Sequence, residues 1–159
     1  MANAFRRKSN RLPIEIYRQA AAYSVTIAVA GRQPAFGAAG AVGQCLEALS
    51  SASEASGFEV LAYCFMPDHV HLLVQSTSPG FLPDFVKRFK QATGFAYRRR
   101  HGRALWQKSY YDHVLRGEES VADVARYIFG NPVRAGLVAE AKDYPFSGSL
   151  VWEEGCVEA

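Results

Sequence analysis

Residues 63–75, which read YCFMPDHVHLLVQ, decide the fold of this chain. An almost unbroken apolar run over 58–66 and a β-rich run over 69–75 flank a Met-Pro-Asp sequence typical of a turn, so the stretch predicts a hairpin. Side chains along a strand alternate between its two faces. We therefore expect His69 and His71 to share one face of the second strand, with its apolar side chains on the other.

Two imidazoles side by side on a rigid strand can share one cation. The alternative is that each histidine is an ordinary, partly buried and hydrogen-bonded side chain. A closed structural metal site takes four ligands, so His69 and His71 alone predict an open site that needs a third ligand from elsewhere in the chain. An open site suits catalysis, because substrate oxygen or water can take the remaining positions.

The composition predicts one ordinary globular domain. The chain has 159 residues, of which 49% are hydrophobic and 21% charged. Its longest apolar stretch, 20–30, is too short to cross a bilayer, and the three cysteines are widely spaced with no C-x-x-C pattern. We expect a cytoplasmic protein with no membrane contact, built as a basic arm (1–18), a single domain (19–150) and a C-terminal tail (151–159).

Positive charge is concentrated in one part of the chain. Residues 81–116 contain nine basic and two acidic residues, a local net charge of +7. A patch of one sign near a candidate metal pair favours a polyanion such as nucleic acid, although such a run is also typical of a solvated helix face. The candidate DNA-binding residues, including two from the basic arm, are Arg6, Arg7, Lys87, Arg88, Lys90, Arg98, Arg99, Arg100 and Arg103.

Several elements are predicted around the hairpin. Alternation over 23–29 indicates a strand, and helical spacing over 41–52, closed by Gly57, indicates a helix. A second helix is expected to start at Pro83-Asp84 and to continue through the arginine run, with an apolar stripe that includes Phe85, Phe89 and Ala92. Residues 110–115 form a strand-like segment. Its aromatic side chains and His113 are more often packing groups, and His113 is the best of them for an accessory chemical role.

A further helix carries the second half of the proposed site. Ser120 and Asp123 fit an N-terminal cap, and the apolar side chains that follow recur on one face. Tyr127 lies off the centre of that face, where it is either a functional group or an edge aromatic with a hydrated hydroxyl. Asn131 is four residues further on, and the proline after it predicts that the helix ends near Gly130. Asn131 is therefore either a metal ligand or the cap of a following turn.

The segments MPDHVHLLV, WQKSYYDHVLR, YIFGNPVRAGLV and YPFSG together resemble the REP-associated tyrosine transposases, members of the single-tyrosine HUH transposase superfamily. The resemblance extends from about Tyr23 to Ser149. It implies an α+β, ferredoxin-like (RRM-like) antiparallel sheet with helices packed on it, plus a C-terminal helix that bears the nucleophile. Such enzymes cleave and rejoin single-stranded DNA through a covalent 5′-phosphotyrosine intermediate.

The resemblance also implies roles for individual residues and partners. His69 and His71 would be metal ligands, Tyr127 the nucleophile and Asn131 the third ligand, where relatives commonly have glutamine; the metal would be Mg²⁺ or Mn²⁺. The expected ligand is a hairpin of a repetitive extragenic palindrome at the bacterial nucleoid, bound by a monomer or a homodimer. Two alternatives are a non-catalytic nucleic-acid-binding module and a histidine-triad nucleotide hydrolase, although Leu73 stands where the latter needs a third histidine.

Overall fold

Five strands form one antiparallel sheet in the order β4-β1-β3-β2-β5. The structure, a computed structural model, describes residues 12–13, 21–76, 78 and 80–153. The strands are β1 (Ala22–Ala28), β2 (Phe58–Met66), β3 (His69–Ser76), β4 (Tyr111–Val114) and β5 (Ser147–Gly148), and the helices are α1 (Ala39–Ser56), α2 (Leu82–His101), α3 (Val121–Phe129) and α4 (Asn131–Arg134). Short 3-10 turns lie at Ala30–Arg32 and Ala141–Asp143.

The order of elements confirms the predicted fold class. From β1 to β4 the chain runs β-α-β-β-α-β, which is the ferredoxin-like arrangement. The hairpin is also confirmed, because β2 and β3 pair antiparallel with Met66 opposite His69 and Cys64 opposite His71. Strand β5 adds a short second edge beside β2.

Helices α1 and α2 cover one face of the sheet. They bury a core cluster to which β3 contributes Val70, Leu72 and Val74, as the alternation of its side chains predicts. Both helices end at a glycine in the left-handed conformation, Gly57 and Gly102, whose N–H groups bond carbonyls four residues back. The first helix is longer than the predicted 41–52.

Helix α3 packs on the other face, over β2 and β3. Ala125 and Ile128 are buried there with Cys64 and Leu73 in a second core cluster. Ser120 caps the helix by accepting a hydrogen bond from the backbone N–H of Asp123, as predicted. The face of the sheet that carries His69 and His71 is therefore partly covered by the helix that carries Tyr127.

One predicted contact in α2 is wrong by a single position. Ala92 is exposed, and Thr93 is buried in its place. The Thr93 hydroxyl donates to the Phe89 carbonyl at 2.7 Å and accepts from Trp106 Nε1 at 2.8 Å, so a polar residue satisfies the buried indole. An apolar stripe cannot predict this, because the partner lies in a distant loop.

The described residues include no helix that is long and apolar enough to span a bilayer. Cys45 and Cys64 are buried and unpaired. The arginines of the predicted basic arm, Arg6 and Arg7, lie outside the described residues, as do residues 154–159 of the predicted tail. Trp152, at the start of that tail, packs against the second core cluster.

Candidate active site

The two strand histidines face each other on the sheet. His69 and His71 lie on the face opposite α1 and α2, and their rings meet edge to face with centroids 4.6 Å apart. Their Nε2 atoms are 2.9 Å apart. The two imidazoles are thus paired on one face of the strand, as predicted, and their Nε2 atoms face each other.

Each Nδ1 atom has its own partner. The Asp68 carboxylate accepts from His69 Nδ1 at 2.6 Å, and Thr26 Oγ1 lies 3.1 Å from His71 Nδ1. A carboxylate can only accept, so His69 carries a hydrogen on Nδ1, and its neutral form presents a lone pair on Nε2. The hydrogen between the two Nε2 atoms then belongs to His71, and the Thr26 hydroxyl donates to His71 Nδ1. Threonine can also accept at that position, so it supports either tautomer of His71.

The surroundings keep His71 uncharged. Burial, followed by the Coulombic effects of His69, Arg134 and Arg32, lowers the pKa of His71 to about 4. Burial on its own would raise the pKa of Asp68, but the hydrogen bond from His69 and the charge of Arg32, whose Nε lies 3.1 Å from Oδ2, together lower it. The pair is therefore a neutral imidazole oriented beside a histidine held by a carboxylate.

Acid is expected to destabilise the fold through His71. Between pH 6.5 and about 4 the unfolded chain binds a proton on this imidazole and the folded chain does not, so the free energy of unfolding falls as the pH is lowered through this window. The loss approaches roughly 3 kcal/mol at the acid end. Urea unfolding at several pH values gives the free energy of unfolding as a function of pH. This free energy should fall less steeply with decreasing pH in His71→Gln than in the parent, and equal pH dependences would contradict the prediction.

The geometry of the pair fits a divalent cation. Metal–nitrogen bonds of about 2.1 Å at a right angle hold two nitrogens about 3 Å apart, close to the separation of the two Nε2 atoms. No group of three or more His, Cys, Asp or Glu side chains that could hold a metal occurs among the described residues. Within those residues, a third protein ligand would therefore be a side chain of another type, such as an amide. Leu73, where a histidine triad needs its third imidazole, is fully buried.

Tyr127 stands on the same side of the sheet as the histidines. Its side chain is 62% exposed and lines a cleft together with Ser24 and His113. Ser24 precedes Thr26, the partner of His71, by two residues on one face of β1, a step of roughly 7 Å along the strand. No hydrogen bond joins Tyr127 to either histidine within the described part of the chain. The prediction that Tyr127 is not a core tyrosine is confirmed.

Asn131 begins α4, directly after the break in the helix at Gly130. The cap position belongs to Gly130, and Asn131 makes no capping hydrogen bond, so the cap interpretation is wrong. Instead Asn131 Oδ1 accepts from Arg134 Nη2 at 2.8 Å, while Nδ2 is buried without a partner among the described residues. The amide oxygen, which has a second lone pair, stays the candidate third ligand.

Arg134 was not predicted from the sequence. Its guanidinium carbon lies 3.9 Å from the centre of the Tyr127 ring, and its Nη2 also donates to the Tyr127 carbonyl. A Cβ atom at Gly130 would come within 2.6 Å of Arg134 Nη1, so the glycine leaves room for the guanidinium. The only signal in the sequence is its spacing, seven residues after Tyr127 and three after Asn131.

His113 is paired with an acid in the same cleft. Its Nε2 lies 2.8 Å from Glu119 Oε2, and this hydrogen bond is the main cause that lowers the pKa of the Glu119 carboxyl. An accessory role for His113 beside Tyr127 stays a prediction.

The basic side chains of α2 are not brought to the histidine pair. Helix α2 packs on the opposite face of the sheet, and Lys90 there donates to the carbonyls of Gln107 and Lys108. Arg103 donates to the Tyr97 hydroxyl at 3.2 Å. The other predicted DNA-binding residues of this helix are exposed: Lys87, Arg88, Arg98, Arg99 and Arg100. A nucleic-acid strand that contacts both this helix and the histidines would have to pass around an edge of the β-sheet.

The chain is an α+β protein with a ferredoxin-like antiparallel sheet, as predicted. One strand of the sheet carries the paired histidines, and a helix packed on the same face carries an exposed tyrosine. The chain belongs to the IS200-like transposase family, because the sequence model of the family described as "Transposase IS200 like" matches residues 18–131. The resemblance to REP-associated tyrosine transposases is confirmed by the comparisons with individual relatives.

Among those relatives is a REP-associated tyrosine transposase of Escherichia coli (strain K12), 29% identical over 90 residues that cover 57% of this chain and 53% of the relative. Another is the ISDra2 transposase TnpA of Deinococcus radiodurans, 37% identical over 81 residues that cover 46% of this chain and 57% of the relative. The chain thus spans little more than half the length of these curated relatives.

A solved structure of a REP-associated tyrosine transposase bound to a REP hairpin has the same fold. It superposes with a TM-score of 0.70 at 20% sequence identity and covers 81% of this chain and 76% of that chain. A crystal structure of a transposase from Deinococcus radiodurans gives a TM-score of 0.53 at 27% identity, over 69% of this chain and 89% of that one.

Proposed function

We propose that this protein cleaves and rejoins single-stranded DNA, with Tyr127 as the nucleophile and His69 and His71 as ligands of a divalent cation. The observation that carries the proposal is the pair of imidazole Nε2 atoms, 2.9 Å apart on the sheet face that α3 and its exposed tyrosine cover. A non-catalytic nucleic-acid-binding domain needs neither this pairing of imidazoles nor an exposed tyrosine on the same side of the sheet. Membership of a transposase family supports the same conclusion.

The reaction needs a nucleophile that keeps the phosphodiester energy in a covalent bond. The Tyr127 oxygen attacks phosphorus and forms a new P–O bond, and the bond from phosphorus to the 3′-oxygen breaks. The tyrosine gives up its proton, and the leaving 3′-oxygen takes one up. The products are a 5′-phosphotyrosine and a free 3′-hydroxyl. A second 3′-hydroxyl can reverse the step without ATP, so the same residue serves both cutting and joining.

The protein side chains prepare the histidine pair for this chemistry. Asp68 fixes the hydrogen of His69 on Nδ1, and Thr26 can take the hydrogen bond of His71 when its lone pair on Nε2 is needed. Magnesium or manganese, when bound there, withdraws negative charge from the phosphate and aligns it for attack. Because His71 is uncharged at neutral pH, no proton has to be displaced from an imidazolium.

The substrate we propose is a single strand folded into a hairpin, like the REP hairpin in the complex of the structural relative. Exposed arginines of α2 would supply sequence-independent phosphate contacts. Monomeric and dimeric forms are both compatible with this substrate.

Cleavage of a labelled hairpin oligonucleotide tests the proposal. With Mg²⁺ or Mn²⁺ we expect one cut, a fragment ending in a 3′-hydroxyl, and a second fragment that stays attached to the protein in SDS. The fully complementary duplex and a chelator-treated sample are the controls, and neither should give the attached fragment. Binding of the hairpin without any cut would favour the non-catalytic alternative, and a cut without the attached fragment would exclude a tyrosine intermediate.

Asn131→Ala is expected to weaken Mn²⁺ binding about tenfold or more, because it removes the proposed third ligand. Asn131→Asp is the matched variant, since it keeps an oxygen in the same place and should retain most of the affinity. Titration of Mn²⁺ followed by electron paramagnetic resonance measures both. Equal affinities in the parent and in Asn131→Ala would remove Asn131 from the ligand set.

A further inference from the structure

Arg134 holds two of the residues on which the proposed reaction depends. Its guanidinium lies over the ring of Tyr127, and its Nη2 donates to the carbonyl of Tyr127 and to the amide oxygen of Asn131. These contacts use two of the five N–H hydrogens of an arginine. The hydrogens on Nε and Nη1 have no acceptor within the described part of the chain.

No carboxylate neutralises Arg134 within the described residues. Other arginines around the site are paired, Arg32 with Asp68 and Arg126 with Asp123. Both acceptors of Arg134 are neutral oxygens, one from the backbone and one from an amide. The site thus presents an exposed positive charge with free donors next to the proposed nucleophile, and such a fork matches the oxygens of a phosphate.

The charge of Arg134 also reaches the histidine side of the sheet. It is one of the causes, after burial, that lower the pKa of His71. Burial raises the pKa of Cys64, which lies opposite His71 on β2, and the charge of Arg134 opposes that rise. Arg134 thus lies against the tyrosine that would attack, on the helix that follows α3 over the sheet face of the imidazoles. A phosphate within reach of the Tyr127 oxygen would therefore lie near this guanidinium.

We propose that Arg134 is a phosphate-binding residue that holds the scissile phosphodiester of the DNA strand between Tyr127 and the histidine pair. The inference rests on the proposed function and gives Arg134 a ligand, a phosphodiester anion, through its unused N–H donors. Nη2 can keep its contacts to Tyr127 and Asn131 at the same time, so one side chain positions the nucleophile, the third ligand and the phosphate.

The charge has a consequence for the cation. Arg134 repels a divalent ion at the histidines in the free protein, and a bound phosphate neutralises that repulsion. Strand and cation must then strengthen each other's binding by the same factor, because binding linkage is reciprocal. Removing the guanidinium should abolish most of this mutual effect, which a residue with a purely structural role would not do.

Binding measurements in a Tyr127→Phe background test the proposal without requiring cleavage. We expect Arg134→Gln to raise the Kd for a hairpin oligonucleotide about tenfold or more and to reduce the slope of log Kd against log salt concentration by about 0.7, the value for one single-strand phosphate. Arg134→Lys should recover part of the affinity. Arg126→Gln, one residue from position 127 but paired with Asp123, is the matched control and should leave both quantities unchanged.

The same proteins give a second readout through Mn²⁺. In Arg134→Gln we expect tighter Mn²⁺ binding without DNA and a smaller gain when the oligonucleotide is added. Thermal unfolding of each variant establishes that it is folded. If Arg134→Gln matches Arg126→Gln in Kd, salt slope and Mn²⁺ gain, or if the background protein binds no hairpin, the assignment of Arg134 is overturned.

A methylphosphonate at the mapped cut separates the scissile phosphate from its neighbours. This uncharged group should weaken binding to the protein with Arg134 and have little further effect in Arg134→Gln. An equal loss in both proteins would place the contact of Arg134 elsewhere on the strand and would contradict the proposal. A cut in the Tyr127→Phe background would instead contradict the proposed function, so the two failures are distinguishable.

Discussion

Tyr127→Phe is expected to abolish cleavage of a single-stranded hairpin, by roughly 10³-fold or more, while hairpin binding changes little. The substitution removes the oxygen that would form the covalent bond and keeps the ring on which Arg134 rests. Because the Tyr127 side chain is 62% exposed, the loss of its hydroxyl should not change the stability of the fold. Single-turnover cleavage and equilibrium binding measure the two effects.

Tyr111→Phe is the matched control for this experiment. Tyr111 is also 62% exposed and lies opposite Thr26 on the edge strand β4, on the same face of the sheet. The Tyr111→Phe protein should cleave at the parent rate, because the reaction requires a phenol at the position of Tyr127 and not merely an exposed tyrosine on this face. A Tyr127→Phe protein with parent activity would reject Tyr127 as the nucleophile.

Removing the imidazole pair is expected to have the second largest effect. Replacing His69 and His71 by alanine should lower metal-dependent cleavage by about 10²-fold or more and eliminate measurable Mn²⁺ binding. Thr26→Val, which removes only the partner of His71 Nδ1, should give a smaller loss of Mn²⁺ affinity, about tenfold. Isothermal titration with Mn²⁺ and cleavage at saturating metal measure these effects.

An exposed histidine on the other side of the sheet provides the control. His101 lies at the end of α2, and His101→Ala removes an imidazole without touching the pair. It should retain cleavage and Mn²⁺ affinity. If the double variant at positions 69 and 71 still cleaves and does so without a metal, the cation site proposed on β3 is not the catalytic one.

The strand pattern carried most of what could be predicted about the site. Alternation along 69–75 placed His69 and His71 on one face, and helical spacing after Ser120 placed Tyr127 away from the core. Both predictions use only the period of one element. Such local rules hold here because α3 buries one of its faces and leaves the other exposed, and because His69 and His71 are only partly buried while Val70 and Leu72 are fully buried.

Contacts between elements could not be predicted in the same way. The bond between Thr26 and His71 depends on the register of β1 against β3, and the pairing of Trp106 with Thr93 depends on how a loop returns to α2. Neither strand register nor loop path is fixed by the spacing of residues within one segment. The basic run of α2 had a further ambiguity, since charge does not determine which face of the sheet a helix covers.

The break at Gly130 explains why Arg134 was missed. In a continuous helix, residues 127 and 134 would lie two turns apart. Here α3 ends at Phe129 and α4 begins at Asn131, and Gly130 between them leaves space for the guanidinium over the ring of Tyr127. The same break makes Gly130 the cap and frees the Asn131 side chain to meet Arg134. A local rule about proline located the break, but not what the next turn would bring together.

The covalent intermediate gives the most direct test of the proposed chemistry. After incubation of the protein with a hairpin oligonucleotide and Mn²⁺, nuclease and protease digestion followed by mass spectrometry identifies the residue that carries a nucleotide through phosphate. We predict that the modified residue is Tyr127 and that the modification requires the metal. A nucleotide on Tyr111 or another residue, or cleaved DNA with no modified residue, would contradict the attack by Tyr127 at the histidine pair.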